Sequence, residues 1–193
     1  MSIARGQLPF PRGRTSCDFG LAGLTVSDTS LDELEGKTYE VLDDTHGTNS
    51  MVTLIVLKND TGAAITPDNE LYGFGTDAGD FGRCVDAVTA AQGQVCVPID
   101  DAYGSDTAGD AGPNIPSDSL FYGVLKGPCY IKSGAANMAL SAHDAVTCDA
   151  AGCLDDVAAA AGDFVIGVVD QAQAAEDAQT LVHVDIQLAQ IAA

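Results

Sequence analysis

The amino-acid sequence predicts an all-β protein: a single β-barrel or β-sandwich domain of about ten short strands with an extended N-terminal arm. Asp accounts for 23 of the 28 acidic residues, and Asp prefers turns to helix interiors. The 193 residues include 21 Gly and 7 Pro, which punctuate the chain at short intervals. Because 46% of the residues are nevertheless apolar, the chain can bury a core and is expected to fold.

The first 30 residues are predicted to form the arm, and residues 31–193 the β-domain. Pro9 and Pro11 favour an extended backbone, and no hydrophobic period is visible in this segment. Ser30 and Glu33 fit a capping box that would start one helical turn, which Gly36 would end.

Short β-branched or alternating segments between turn signals are predicted to be strands. They are Thr38–Leu42, Met51–Lys58, Glu70–Phe74, Arg83–Thr89, Gln94–Ile99, Leu120–Leu125, Pro128–Lys132, Asp144–Cys148, Phe164–Val169 and Thr180–Leu188. From Val182 to Leu188, apolar residues alternate with His183, Asp185 and Gln187, which indicates a half-buried strand placed to close the sheet.

Three segments lack the strand pattern. Residues 100–116 are polar and without period, which is typical of a long loop. The Ala-rich stretches Val157–Ala161 and Ala172–Ala178 could each form a turn or two of helix.

The charge of the chain limits its partners. The formal net charge is −20, and a surface of that sign argues against binding to nucleic acid or to anionic membranes. No stretch of 18 apolar residues predicts a transmembrane helix, and the N-terminus lacks the apolar run of a signal peptide. Arg5, Arg12 and Arg14 lie before the first acidic residue, so the rest of the chain carries −23.

The six cysteines form no CxxC pair, which argues against zinc and thioredoxin-like sites. Without a signal peptide, synthesis in a reducing cytosol is expected, which predicts free thiols. Cys84 with Cys96, or Cys148 with Cys153, could still meet across a hairpin as a disulfide.

No assembled catalytic site is recognisable, and the sequence predicts neither enzymatic activity nor a cofactor or metal. His183 and Asp185 share a strand face, but a solvated polar face explains them. Asp-rich segments around Asp77 and Asp80, and from Asp100 to Asp110, raise the question of calcium, yet the EF-hand order is not met.

From about Met51 to its end, the chain resembles the capsid decoration (cement) proteins of tailed bacteriophages. The resemblance lies in the order of four segments, which are LKNDTGAAITP (57–67), FYGVLKGP (121–128), LSAHDAV (140–146) and GDFVIGV (162–168). His143 departs from the Gly often found before that Asp, and six Cys exceed the expected number.

The resemblance implies a virion structural protein that decorates and stabilises the outer capsid surface by bridging major capsid protein subunits. It also implies a homo-oligomer, with a trimer favoured. We predict that Arg5, Phe10, Arg12 and Arg14 of the arm contact the capsid. The alternative function is a carbohydrate- or calcium-binding β-module that uses the Asp-rich loops and Tyr103; a small β-barrel enzyme ranks last.

Overall fold

The structure, a computed structural model, describes the parts of the chain that form the β-domain and two short pieces before it. These are residues 8–9, 12, 33–43, 50–67, 69–86, 95–100, 114–133, 140–149, 151–156, 164–170 and 179–186. Within them the secondary structure is entirely β, as the sequence predicts. No helix in this part of the chain is long and apolar enough to cross a membrane.

The described residues form ten strands. They are β1 (Thr38–Leu42), β2 (Met51–Asn59), β3 (Leu71–Gly73), β4 (Cys84–Val85), β5 (Cys96–Pro98), β6 (Leu120–Lys132), β7 (Ala145–Cys148), β8 (Leu154–Asp156), β9 (Gly167–Val169) and β10 (Gln179–Asp185). Eight belong to one sheet in the order β1-β2-β6-β10-β9-β7-β8, with β4 pairing parallel to β2. Strands β3 and β5 form a second, antiparallel sheet.

The large sheet is open, because β1 and β8 lie at its two ends in the described chain. The domain is therefore sandwich-like, which decides between the two predicted architectures. The small sheet approaches β6 closely at Gly123, which pairs with Ile99 just beyond β5. A Cβ on Gly123 would lie 2.7 Å from Cγ2 of Val97, so the contact requires glycine.

The core lies under this contact and extends along the large sheet. Strand β2 is buried almost throughout its apolar run from Leu54 to Leu57, consistent with cover on both faces. Phe121, Tyr122 and Tyr72 are the bulkiest side chains in it, all exposed by 2% or less.

The turn after β2 is organised by Asn59, whose side chain is completely buried. Its Nδ2 donates to the carbonyl oxygens of Ala63 (2.9 Å) and Ile115 (3.0 Å), and its Oδ1 accepts from Thr61 Oγ1 (2.8 Å). Gly62 completes the turn with φ +75°. These bonds satisfy the buried amide and tie residues 57–67 to the distant segment before β6.

Several predicted elements differ from the structure. The segments predicted as Leu120–Leu125 and Pro128–Lys132 are one continuous strand, because Gly127 adopts φ +111° and keeps the chain in the ladder. Strand β8 was missed, since three residues containing two Asp carry no apolar period. Glu33–Gly36 form a hydrogen-bonded turn in place of the predicted helical turn, with Gly36 at φ +76°.

The predicted closing position of the last strand is wrong. Strand β10 lies inside the sheet between β6 and β9 and pairs antiparallel with both. Its predicted alternation is confirmed: Val182 and Val184 are buried, whereas His183 and Asp185 are exposed. An alternating pattern reports which face is buried, but it does not report how many neighbours a strand has.

Other predictions fall outside the described residues. These are both Ala-rich segments, Val157–Ala161 and Ala172–Ala178, and residues 101–113 of the polar loop. The boundary between arm and domain at residue 30 stays a prediction.

Candidate functional site

Of the four residues predicted to contact a partner, Arg12 lies in the described part of the chain. Arg5, Phe10 and Arg14 lie outside it. The Arg12 side chain is only 13% exposed, which is far less than expected for a cation on a solvated arm. Its surroundings therefore define the first candidate site.

Arg12 is held between two carboxylates of its own chain. Its Nε donates to both oxygens of Asp100, at 2.8 and 2.9 Å, and its Nη1 lies 3.9 Å from Oδ1 of Asp43. Both Asp side chains are fully buried. Two buried carboxylates beside one guanidinium are tolerable only as a mutually compensating cluster, because an isolated buried charge is strongly unfavourable.

The two carboxylates come from strand ends that are distant in sequence. Asp43 follows β1, and its backbone N donates to Ser50 O at 2.7 Å, at the start of β2. Asp100 follows β5, and its N donates to Tyr122 O of β6 at 3.0 Å. The sequence did not single out Asp43, and Asp100 was considered only as a calcium candidate.

Arg12 and Leu8 thus both contact the domain. Leu8 is partly buried against the core, which adds an apolar contact four residues before the ion pair. The predicted contact of Arg12 with a partner is not tested by the structure of a single chain. In this conformation the guanidinium binds Asp100 of the same chain.

A second candidate site contains four potential cation ligands: Asp60, Asp80, Asp86 and Cys84. One ligand atom from each lies within 4.8 Å of all the others. Strands β2 and β4 run parallel, so Asp60 and Asp86, which follow them, emerge at the same end. Asp80 lies in the preceding turn, where its carbonyl oxygen accepts from the backbone N of Cys84 at 3.0 Å.

Gly75 makes this arrangement possible. A Cβ at that position would lie 2.7 Å from the Cβ of Asp80 and 3.0 Å from Oδ2 of Asp86. The neighbouring backbone N of Thr76 donates to the same Asp86 oxygen at 3.1 Å. The two carboxylates therefore approach each other over a glycine.

The charges around the cluster decide what it can bind. Burial, followed by the carboxylates of Asp80, Asp60 and Asp86, raises the pKa of Cys84 to about 12. The thiol is therefore neutral at physiological pH, which leaves carboxylate oxygens as ligands for a hard cation such as calcium. Lys58 Nζ lies 3.6 Å from Oδ1 of Asp60 and already balances part of the negative charge.

Lys58 is itself bound firmly. Partial burial alone would lower the pKa of Lys58, but the hydrogen bond to Asp118 and the charge of Asp60 outweigh burial and raise the pKa above 10.5. Its Nζ lies 3.2 Å from Oδ1 of Asp118. The ammonium group thus remains a permanent cation at the rim of the cluster.

The structure assembles these ligands differently from the sequence prediction. Of the predicted calcium residues, Asp80 joins the cluster, Asp77 is exposed, and Asp100 is paired with Arg12. Residues 101–110, including Tyr103, lie outside the described chain. Asp60 and Asp86 were missed because only the pairing of β2 with β4 brings them together.

An exposed apolar patch lies on and before β9. Val165 is 53% exposed, Val168 40% and Phe164 39%. Val168 is flanked by Ala145 of β7 and by His183 of β10, both exposed. Such side chains in a group are typical of a surface that contacts another molecule.

Comparisons with known proteins found a similarity to a solved structure. The chain matches no family model, and no curated protein is significantly similar to it in sequence. The head fibre gp8.5 N base of bacteriophage phi29 superposes with a TM-score of 0.42 and 11% sequence identity. The superposition covers 70% of this chain and 95% of that chain.

Proposed function

We propose that this protein is a structural, non-enzymatic component of a phage virion. It decorates the outer surface of the capsid and stabilises it by bridging major capsid protein subunits. The observation that carries the proposal is the separation of charge along the chain, with three of the eight basic residues in the first fourteen positions of a strongly acidic protein. A body of charge −23 is repelled by packaged DNA, which favours the outside of the shell.

The motifs that resemble those of decoration proteins support the proposal because two of them have defined roles in the fold. Asn59 and Gly62 of the first segment build a buried, fully bonded turn, and Gly127 of the second segment keeps β6 continuous. These two motifs thus have a physical role in the fold. The exposed patch around Val165 and Val168 supports the proposed homo-oligomer as a surface for a second copy, and the preference for a trimer comes from the resemblance to decoration proteins.

The position of Arg12 changes how the arm must be tested. Deleting residues 1–14 would also remove the cation that compensates Asp100 and Asp43, so weaker capsid binding could result from a damaged domain. We therefore choose Arg5→Glu combined with Arg14→Glu, which leaves Arg12 in place.

We expect this double variant to bind capsids assembled without this protein at least tenfold more weakly at low salt. The loss should shrink as salt is raised, because added ions screen exposed charges. Co-sedimentation over a salt series measures both effects. Lys37→Glu combined with Lys126→Glu makes the same charge change at exposed positions of the β-domain and should leave binding near the wild-type value. Equal binding by wild-type protein and the arm variant would contradict a role for the arm.

The acidic cluster is the observation that favours the second candidate, a calcium-binding β-module. Because Lys58 already balances part of the negative charge of the cluster, we do not expect calcium to bind there. Calcium should therefore shift the Tm of wild-type protein and of Asp80→Asn equally. Differential scanning calorimetry with calcium or with chelator measures the shift. Asp77→Asn, in the same turn but outside the cluster, is the matched control. A calcium-dependent rise in Tm that Asp80→Asn abolishes and Asp77→Asn preserves would instead support the calcium-binding module.

A further inference from the structure

Two cysteines that are far apart in sequence meet in the core. Cys96 lies on β5 of the small sheet and Cys148 on β7 of the large sheet, and both side chains are completely buried. The side chains of Cys96 and Cys148 are hydrogen-bonded to each other. The sulfur pair is therefore one of the contacts between the two sheets.

The surrounding backbone explains why these two sulfurs are neighbours. Leu71, at the start of β3, donates its N–H to Gly152 O in the β7–β8 turn at 2.7 Å. Two residues further along β3, Gly73 lies directly opposite Cys96. The small sheet is thus held against the β7–β8 hairpin at the place where Cys148 ends β7.

The pairs that the sequence left open do not form. The five cysteines in the described chain are not in disulfides, and Cys17 lies outside it. Residues 73–75 separate Cys84 from Cys96, since Gly73 pairs with Cys96 and Gly75 N donates to Cys84 O at 2.9 Å. Leu154, and not Cys153, lies opposite Cys148.

We propose that Cys96 and Cys148 form a disulfide that cross-links the two sheets once the protein meets an oxidising thiol–disulfide couple. Glutathione disulfide is sufficient as the oxidant. The Cys148 thiolate attacks one of its sulfurs, which forms a mixed disulfide and releases glutathione. The Cys96 thiol then loses its proton and attacks the Cys148 sulfur, which releases a second glutathione. Two electrons and two protons pass from the cysteines to the glutathiones.

The order of the two attacks follows from the hydrogen bond. The hydrogen bond between the two cysteines lowers the pKa of Cys148, whereas the same bond, followed by burial, raises the pKa of Cys96. Cys148 is therefore the first nucleophile. Both sulfurs are buried, so the oxidant can reach Cys148 only when the β7–β8 hairpin opens locally.

The chemistry does not depend on the proposed function; only its timing, after the virion leaves the reducing host cytoplasm, rests on that proposal. The test therefore uses the purified full chain without capsids. Native protein is incubated with glutathione disulfide, alkylated, digested without reduction and analysed by mass spectrometry.

We expect a linked Cys96–Cys148 peptide pair, a protein mass lower by about 2 Da, and a Tm higher by about 5–10 °C than for the reduced protein. Cys96→Ala should instead accumulate glutathione on Cys148, whereas Cys84→Ala should still form the linked pair. Cys84 is the matched control because its thiol contacts Asp80 O and its pKa is about 12. A fully reduced product, or a disulfide that joins any other two cysteines, would overturn the proposal.

Discussion

Replacing Arg12 by Ala is expected to lower the free energy of unfolding by about 3–5 kcal/mol. The substitution leaves Asp43 and Asp100, both with fully buried side chains, without the guanidinium that lies between them. Equilibrium urea denaturation measures the loss. An effect of this size at position 12 would show that a residue of the predicted arm stabilises the domain.

Two further variants separate this cause from a general loss of charge. Lys126→Ala removes a cation from an exposed pair with Asp185, at 3.7 Å, and should cost less than about 1 kcal/mol. Asp100→Asn in the Arg12→Ala protein should recover part of the loss, with a coupling of about 0.5–3 kcal/mol in the double-mutant cycle. If Arg12→Ala lowers the free energy of unfolding no more than Lys126→Ala does, the buried ion pairs of Arg12 do not stabilise the domain.

Replacing Gly127 by Ala is expected to destabilise the protein by about 3–5 kcal/mol for two reasons that add. Its φ of +111° is a conformation that residues with a side chain rarely adopt. Its Cβ would also lie 2.8 Å from Met51 O and 3.1 Å from the Cα of Val52, both backbone atoms of β2. Strands β2 and β6 would have to separate at the centre of the sheet, which urea denaturation would report.

Gly62→Ala provides the matched control for backbone strain alone. Gly62 also has a positive φ, +75°, but a Cβ there would meet nothing within 4 Å. We expect a cost of about 1–2 kcal/mol. Similar losses for the two variants would mean that the close approach of β2 to β6 contributes little.

Both predictions concern residues for which the structure shows contacts that were not predicted from the sequence. Arg12 was predicted to contact a partner, whereas the structure places it beside Asp100 and Asp43. Gly127 belongs to a motif and was predicted to lie between two strands, whereas in the structure it lies within the single strand β6. In both cases the residue type was informative, but its neighbours were not visible in the local sequence.

Local patterns predicted most strands well because their causes are local. Thr38–Leu42 matches β1 at both ends, and Met51–Lys58 differs from β2 by one residue. Both segments combine β-branched residues with turn residues at their ends, and these preferences act within a few residues. Strand β8 was missed because its pairing with β7, rather than its own composition, makes it a strand.

The sequence alone determined the all-β class, most strand positions and the separation of charge, since each follows from composition, period or turn chemistry. Only the tertiary structure decided the neighbours: Arg12 with Asp100, Asp60 with Asp86, and Cys96 with Cys148. The order of strands in a sheet depends on how faces pack together over the whole domain. Residues far apart in the chain therefore meet without any signal in the sequence between them.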